Sequence, residues 1–449
     1  MNLFQDIKIP KDKLHQKFKT LKETLSYSGE QEVLNDWVKD FEDRDGKIVK
    51  EFQTTFHSSF WEFYLFAVFK EAGFKIDFSK NRPDFIIKEP CEIYIEAVVS
   101  NIKQDGDKED KRTFDDILSM LEPPHLQSDF YEKLNESIVR HSNAILGKSK
   151  KYLQEYSKLE YINTKAPFVI AISGYEQINY GNQFYYPMMA LLYGAYYDIK
   201  TDDYTMQDSI KKPNSNSDIP IGLFKNKDME HISAIIFSST VTLGKLTSLS
   251  LSQNKSVYKP NFVMNIRLDN EIPKYKIQKV TNENQEYLTD GLFVFHNPFA
   301  KNKLSKDIFN KTNALQIFKH ESGFEFVGNN LPIYSRFNNF INTPMFINTI
   351  AMETFMKFNS KENVKISHFE VLEVDFDFKE ITIRDLYLGL NFIVDLEEKD
   401  MEYIKNNEIK EKDKLIATIF SIPDKYGMTT QWNFIDFQKL EKGEKICEN

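Results

Sequence analysis

Two acids, Asp84 and Glu96, stand out in the stretch RPDFIIKEPCEIYIEAVVSN, residues 82–101. It reads as two short β-strands joined by a proline-containing turn, with one acid on each strand. If the strands pair through the KEPCE turn, both carboxylates reach the same sheet edge. There they can bind Mg²⁺ or Mn²⁺, hard ions that take one or two carboxylates together with water and phosphate oxygens. Such a centre hydrolyses phosphodiester bonds. Pro83 fixes the approach of the chain to Asp84. Side chains alternate along a strand, so Tyr94, Glu96 and Val98 share one face. Glu96 therefore stands among apolar neighbours, where an unpaired carboxylate costs several kcal/mol, roughly. A metal ion or a basic partner would offset that. The plain alternative is that Asp84 caps a turn and Glu96 meets a lysine or arginine.

Sites of this kind usually keep a lysine two residues after the second acid, to position the attacking water and steady charge on the phosphate. Here that position is Val98. A long helix expected over about 126–158 offers a substitute. Leu134, Ile138, Ile145, Tyr152 and Tyr156 form one stripe, and Lys148 lies within it. Its stem can extend along the sheet and bring the ammonium to Glu96, with Gly147 allowing close backbone approach. His141 falls on nearly the same line, and Arg140 lies to one side where it can meet a phosphate. Lys150 and Lys151 are expected to point away from the sheet. Arg140, His141 and Lys151 make up the expected nucleic-acid contacts.

The elements that must hold these residues follow from hydrophobic periodicity. Residues 1–55 read as amphipathic helices. SSFWEFYLFAVFKEAGF, from 58, is apolar on nearly every side and reads as a buried helix ending at Gly73. KIDFS, PDFIIK and EIYIEAVV follow as strands, then a polar loop over 101–125, the long helix, and PFVIAIS (167–173) as a strand buried on both faces. Helix, three strands, helix and strand make an α/β arrangement around one mixed sheet. Beyond about residue 310, alternating strands such as FEVLEVDFDF and charged helical segments suggest a separate α+β domain. The expected organisation is a helical segment over 1–55, a catalytic domain over 56–310 and a C-terminal domain over 311–449.

Composition narrows the classes. The 449-residue chain is 41% hydrophobic and carries 38 Phe and 22 Tyr, enough for a large core built from rings. A formal net charge of −9 excludes a generally basic coat and leaves room only for a local basic groove. Two cysteines, Cys91 and Cys447, form no zinc spacing. With no long apolar run to span a bilayer, a soluble, cytoplasmic protein is expected.

FWEFYL (60–65), RPDF (82–85), IYIEAV (93–98), RHSNAILGKSKKY (140–152), PFVIAIS (167–173), ISAIIFSS (232–239) and HNPFA (296–300) come in an ordered series. That series resembles the PD-(D/E)XK, restriction-endonuclease-like, nuclease superfamily, and within it a bacterial group with an Ile-Glu-Ala third strand. The resemblance spans roughly residues 50–305. It implies a helix, a mixed four-stranded sheet and a helix, with Asp84 and Glu96 as metal ligands and Glu62 as an extra acid near the metal. It also implies a Mg²⁺-dependent endonuclease acting on DNA, with a place in bacterial antiviral defence or restriction. Ser59 to Glu62 is equally a capping-box pattern. The rival functional reading is an inactive module of the same fold that binds nucleic acid or a partner protein. A homodimer or partner contact would run through the C-terminal domain.

Other signals read as structure. LGKS (146–149) lacks the first glycine of a phosphate-binding loop and sits within a helix. His296-Asn297-Pro298 reads as a turn. Tyr185, Tyr186, Tyr193, Tyr196 and Tyr197 have near-helical spacing that favours packing over base stacking.

Overall fold

A computed structural model of the chain describes residues 1–102, 109–175, 183–213, 215–255, 261–329, 331–340, 343–360, 364–421 and 432–440. Three helices open it: α1 (Gln16–Glu23), α2 (Ser28–Trp37) and α3 (Ile48–Thr54). They lead into α4 (His57–Glu71), whose Phe60, Trp61, Phe63, Tyr64, Leu65, Phe66 and Phe69 are all buried. A helix apolar on every side must be covered on every side. Here the sheet covers one flank and α1–α3 cover another, all within a single core cluster. Residues 1–55 are thus part of the main core rather than a separate segment. Each fully buried ring contributes about 1.5–3 kcal/mol relative to an exposed one. Gly73, at φ +79°, follows the end of α4 in the left-handed region that glycine tolerates.

The strands β1 (Lys75–Ile76), β2 (Phe85–Glu89), β3 (Ile93–Asn101) and β4 (Phe168–Tyr175) fall where periodicity predicts them. The long helix, α5 (Phe130–Gln154), is shorter than expected, and Tyr156 sits in the 3₁₀ turn that follows. Next come α6 (Tyr186–Tyr193), β5 (Ala234–Ser238), α7 (Leu243–Ser252), β6 (Asn261–Leu268), β7 (Tyr275–Lys279), β8 (Phe293–His296), β9 (Leu315–His320), β10 (Gly323–Val327) and β11 (Ile333–Phe340). One eight-stranded mixed sheet runs in the order β1-β2-β3-β4-β5-β8-β9-β10, and β7-β6-β11 form a second, three-stranded sheet. Strands β3, β4 and β5 are parallel, and β4 is buried along its whole length. Ile95, Ala97, Val169 and Ala171 pack in the core cluster with α4, and the Trp61 indole donates to the Ala171 carbonyl at 3.0 Å. Helix α5 covers the opposite face, where Tyr152 stacks on Phe168 at 4.0 Å.

Two expectations need correction. The sheet has eight strands, not the four implied by the resemblance. The domain boundary is not at 310, because β9 and β10 extend the main ladder and β11 pairs with β6. Residues 1–268 and 277–348 form one unit, and residues 269–276 and 349–449 the other. The second unit is built on a closed barrel, β12 (Lys365–Asp375), β13 (Glu380–Asp385), β14 (Asn391–Asp395), β16 (Trp432–Lys439) and β15 (Lys414–Phe420) in spatial order. Helix α8 (Glu398–Asn406) lies between β14 and β15 in the chain. Phe369, Val371, Ile381, Ile383, Val394 and Leu415 fill its core.

A chain truncated after residue 310 loses β9, β10 and β11, and should show no cooperative thermal transition. A chain truncated after residue 348 should keep one. Circular dichroism melts of the two truncations check the boundary.

Candidate metal and acid site

Strands β2 and β3 pair antiparallel with Phe85 opposite Ile95, so Asp84, one residue earlier, is level with Glu96. The Asp84 Oδ2 accepts the Ala97 N–H at 2.7 Å, which ties the acid to the neighbouring strand. Arg44 holds the turn before it, donating to the Lys80 carbonyl at 2.8 Å and the Pro83 carbonyl at 3.3 Å. Sequence reading missed Arg44, and its separation of 39 residues from Pro83 leaves no local signal.

Glu96 is 2% exposed, as its place on an apolar strand face predicted. Its Oε1 accepts from Lys148 Nζ at 2.6 Å and from the Tyr156 hydroxyl at 3.0 Å. Lys151 Nζ lies 3.6 Å from the same oxygen and over the Tyr156 ring at 4.9 Å. Glu96 Oε2 is buried and has no hydrogen-bond partner among the described residues. Lys148 therefore reaches the acid from the helix that covers this face, as the helical stripe predicted. Tyr156 joins it through the polar tip of its ring.

Like charges crowd this carboxylate. Burial, and then Glu96, push the Asp84 carboxyl up from 3.8 to about 6, against the pull of Lys148 and the Ala97 N–H. Glu62, half-buried on α4, is raised well above the usual carboxylate range by burial and then by Asp84, with Glu96 adding to it. Burial and Glu96 also raise the Tyr156 hydroxyl, so it stays a donor to the acid. Two raised carboxyls, Asp84 and Glu62, beside a third whose Oε2 is buried and without a hydrogen-bond partner among the described residues, form a place that a divalent cation would suit, although Lys148 and Lys151 already neutralise part of the charge.

The remaining candidates separate. Lys151 turns toward Glu96 rather than away from the sheet, because residues 148 and 151 lie three apart on one helix face. Lys150 is exposed, as expected. His141 is 1% exposed, its Nδ1 2.7 Å from the Ser100 hydroxyl and its ring edge-on to Phe237, so it cannot touch a nucleic acid. Arg140 pairs with Glu136, one turn earlier, at 2.8 Å. Gly147 is exposed and a Cβ there would meet nothing, so it permits no close backbone approach. The capping box at Ser59 does not form. The helix starts two residues earlier at His57, after Phe56 at φ +55°, and Ser59 is buried within its first turn. Asn297 donates to the Met229 and Ile232 carbonyls in the expected turn, and the five tyrosines are buried.

Among the described residues, the group of three metal-capable side chains with ligand atoms all within 4.8 Å of one another is elsewhere: His15, His57 and Glu109. Sequence reading missed it, since its members come from three separate segments. His15 Nδ1 accepts the Lys17 N–H, so in the neutral ring the proton sits on Nε2, which faces Glu109 Oε1 at 3.3 Å. Lys17 Nζ takes the other carboxylate oxygen at 3.2 Å. Burial and then His57 lower His15 to about 4. With Lys17 on one Glu109 oxygen and His57 Nε2 3.2 Å from the other, the carboxylate is already engaged beside a lysine, which makes the cluster a poor seat for a cation.

No protein-family model, no curated protein and no solved structure matches the chain.

The raised Asp84 sets a pH dependence. A carboxyl whose pKa is higher folded than unfolded contributes stability while protonated and loses it as pH rises through the folded value. In EDTA, the wild-type melting temperature should therefore carry a downward component between about pH 4 and pH 7. Asp84→Asn should reduce that component and melt no lower than wild type at pH 7.5. Melting curves across that range check both, and a large loss in Asp84→Asn would mean that its bond to Ala97 matters more than the repulsion.

Proposed function

We propose that the chain is a metal-dependent phosphodiesterase acting on DNA, with Asp84 and Glu96 as ligands of Mg²⁺ or Mn²⁺, Glu62 beside them and Lys148 at the scissile phosphate. The observation that carries this reading is the buried, unpartnered Oε2 of Glu96 beside a second carboxyl held above its usual range. When bound, the ion would polarise the phosphate and lower the pKa of water. The chain's own groups do the rest. Tyr156 and Lys148 fix Glu96 through Oε1 and leave Oε2 without a hydrogen-bond partner among the described residues. The Lys148 side chain is 24% exposed while its ammonium holds Glu96. Placed there, it can steady developing negative charge without leaving Glu96. A role in antiviral defence or restriction rests on the family resemblance alone.

A second reading also has an observation behind it. Lys148 and Lys151 both lie on Glu96, so the carboxylate already has cationic partners. On that reading the unit binds nucleic acid or a partner protein and cleaves nothing. The C-terminal barrel fits either reading as the recognition or self-association module. Its strand order, with β14 and β16 parallel and a helix between the third and fourth strands, is that of the five-stranded barrels on which oligonucleotide binding recurs. That is an analogy of fold. Its surplus of acidic over basic residues favours a protein partner over a phosphate backbone. No helix among the described residues is long and apolar enough to cross a membrane.

Incubation of the full chain with linear, circular and single-stranded DNA and with RNA, in Mg²⁺, Mn²⁺ or EDTA, separates the readings. Metal-dependent cleavage should vanish in Asp84→Ala and Glu96→Ala. It should fall by about 10² or more in Lys148→Ala, the usual loss for one positioned electrostatic group. Lys150→Ala should cleave normally, and Val98→Lys should restore part of the activity to Lys148→Ala. Cleavage that survives both acid substitutions would remove the chemistry from this site. Absence of cleavage on every substrate, with binding intact, would establish the second reading.

A further inference from the structure

Where β5 hands the chain to α7, a cavity of about 220 Å³ opens over the sheet end. Its wall includes Ser239, Thr242 and Gly244 from the connecting turn and the first turn of α7, Arg336 from β11, Lys17 from α1, and Arg112. Helix α7 is ten residues long and is capped by Thr242, whose side chain accepts the Gly244 N–H at 3.1 Å. The start of such a helix carries a partial positive charge of roughly half a unit. Gly244 matters for proximity, since a Cβ there would sit 3.2 Å from Arg336 Cδ. With hydrogen in its place, the arginine stem lies against the start of the helix.

Two further features point to a ligand. Ser239 is 5% exposed, lines the cavity, and its buried Oγ has no hydrogen-bond partner among the described residues. A buried hydroxyl left without a partner is costly unless something fills the space beside it. Beside the cavity, Lys245 and Arg336 share one carboxylate. Glu286 Oε1 takes Lys245 Nζ at 2.7 Å and Arg336 Nη2 at 2.5 Å, and its other oxygen takes Ser248 and Asn265. All three charged side chains are nearly or fully buried, and the neighbouring Arg267 is matched by Asp290 at 2.7 Å. Burial alone would raise the Glu286 carboxyl, but the two cations outweigh it and hold it at about 2. Two cations on one carboxylate leave a positive surplus in a dry place. Glu109, paired with Lys17 at 3.2 Å, is the acid that opposes the basic wall.

We propose that this cavity is a phosphate-binding site, in which Arg112, Lys17 and Arg336 supply charge, and the Ser239 hydroxyl and the start of α7 supply hydrogen-bond donors. Helix N-termini with converging basic side chains suit tetrahedral oxyanions. The space holds a phosphate with several waters, at about 30 Å³ per water. The ligand is either free phosphate or the terminal phosphate of a nucleic-acid strand. The assignment is independent of the acid site, because no residue is shared.

The test is titration of the full chain with sodium phosphate at constant ionic strength, read as melting temperature and by calorimetry. Wild type should show saturable stabilisation, as expected for a ligand that binds the folded state alone. Ser239→Ala and Arg112→Ala should each weaken phosphate binding roughly tenfold, the effect of one hydrogen bond to a charged group. Lys150→Ala, remote in role, should bind as wild type. Displacement of phosphate by a 5′-phosphorylated oligonucleotide, but not by its 5′-hydroxyl twin, assigns the site to a strand end. Displacement by neither assigns it to the free ion. No saturable response to phosphate, or equal weakening in Lys150→Ala, overturns the proposal.

Discussion

The contact on which the first unit turns is the 2.6 Å bond between Lys148 and Glu96. A carboxylate this deeply buried cannot stay charged without a partner, and removing one member of such a pair leaves the other exposed to the full desolvation cost. The pair therefore ties α5 to β3 across the sheet face. Replacing both members with apolar residues of similar shape could serve packing as well, so stability alone is weak grounds for keeping an ion pair there. Its value lies in what it leaves open: one carboxylate oxygen fixed and the other free.

The scaffold makes that arrangement rigid. Helix α4 is sealed between the sheet and three N-terminal helices by stacked and edge-on rings, among them Phe52, Phe56, Phe60 and Trp61. Asp84 is locked by Ala97 on one side and by Arg44 in the preceding turn on the other. Across the same unit, the Lys245, Glu286 and Arg336 cluster joins α7, the segment before β8, and β11. Two separate clusters of buried charge thus sit in the same unit, one rich in acid on the eight-stranded sheet and one with two cations on a single carboxylate beside the three-stranded sheet.

Much of this was legible from residue order. Period-two alternation fixed which face Glu96 occupies, and a stripe at helical spacing put Lys148 on the same side. Both inferences are local, since each depends on residues within a few turns or strand steps. The misplacements came from the same local logic carried one step too far. Spacing alone sets Lys151 facing solvent, yet a long side chain three residues from Lys148 bends to the same carboxylate. Gly147 suggested backbone contact, but it lies on the exposed side of α5. Ser59 and Glu62 fit a capping pattern that an earlier helix start cancels.

What the sequence determined by itself was the set of elements around the acids, because strand and helix periods are properties of neighbouring residues. Tertiary structure alone decided the rest. The texture change near residue 310 is real in composition, but strands β9 to β11 belong to the first unit through ladders formed with distant segments. Glu286 meets Arg336 across 50 residues and Lys245 across 41, and Ser239 is orphaned only because the turn after β5 is buried. Such pairings are set by the closing of the sheets, and no spacing along the chain encodes them. The buried charges that carry the functional proposals are of this second kind, since burial is a property of the assembled fold.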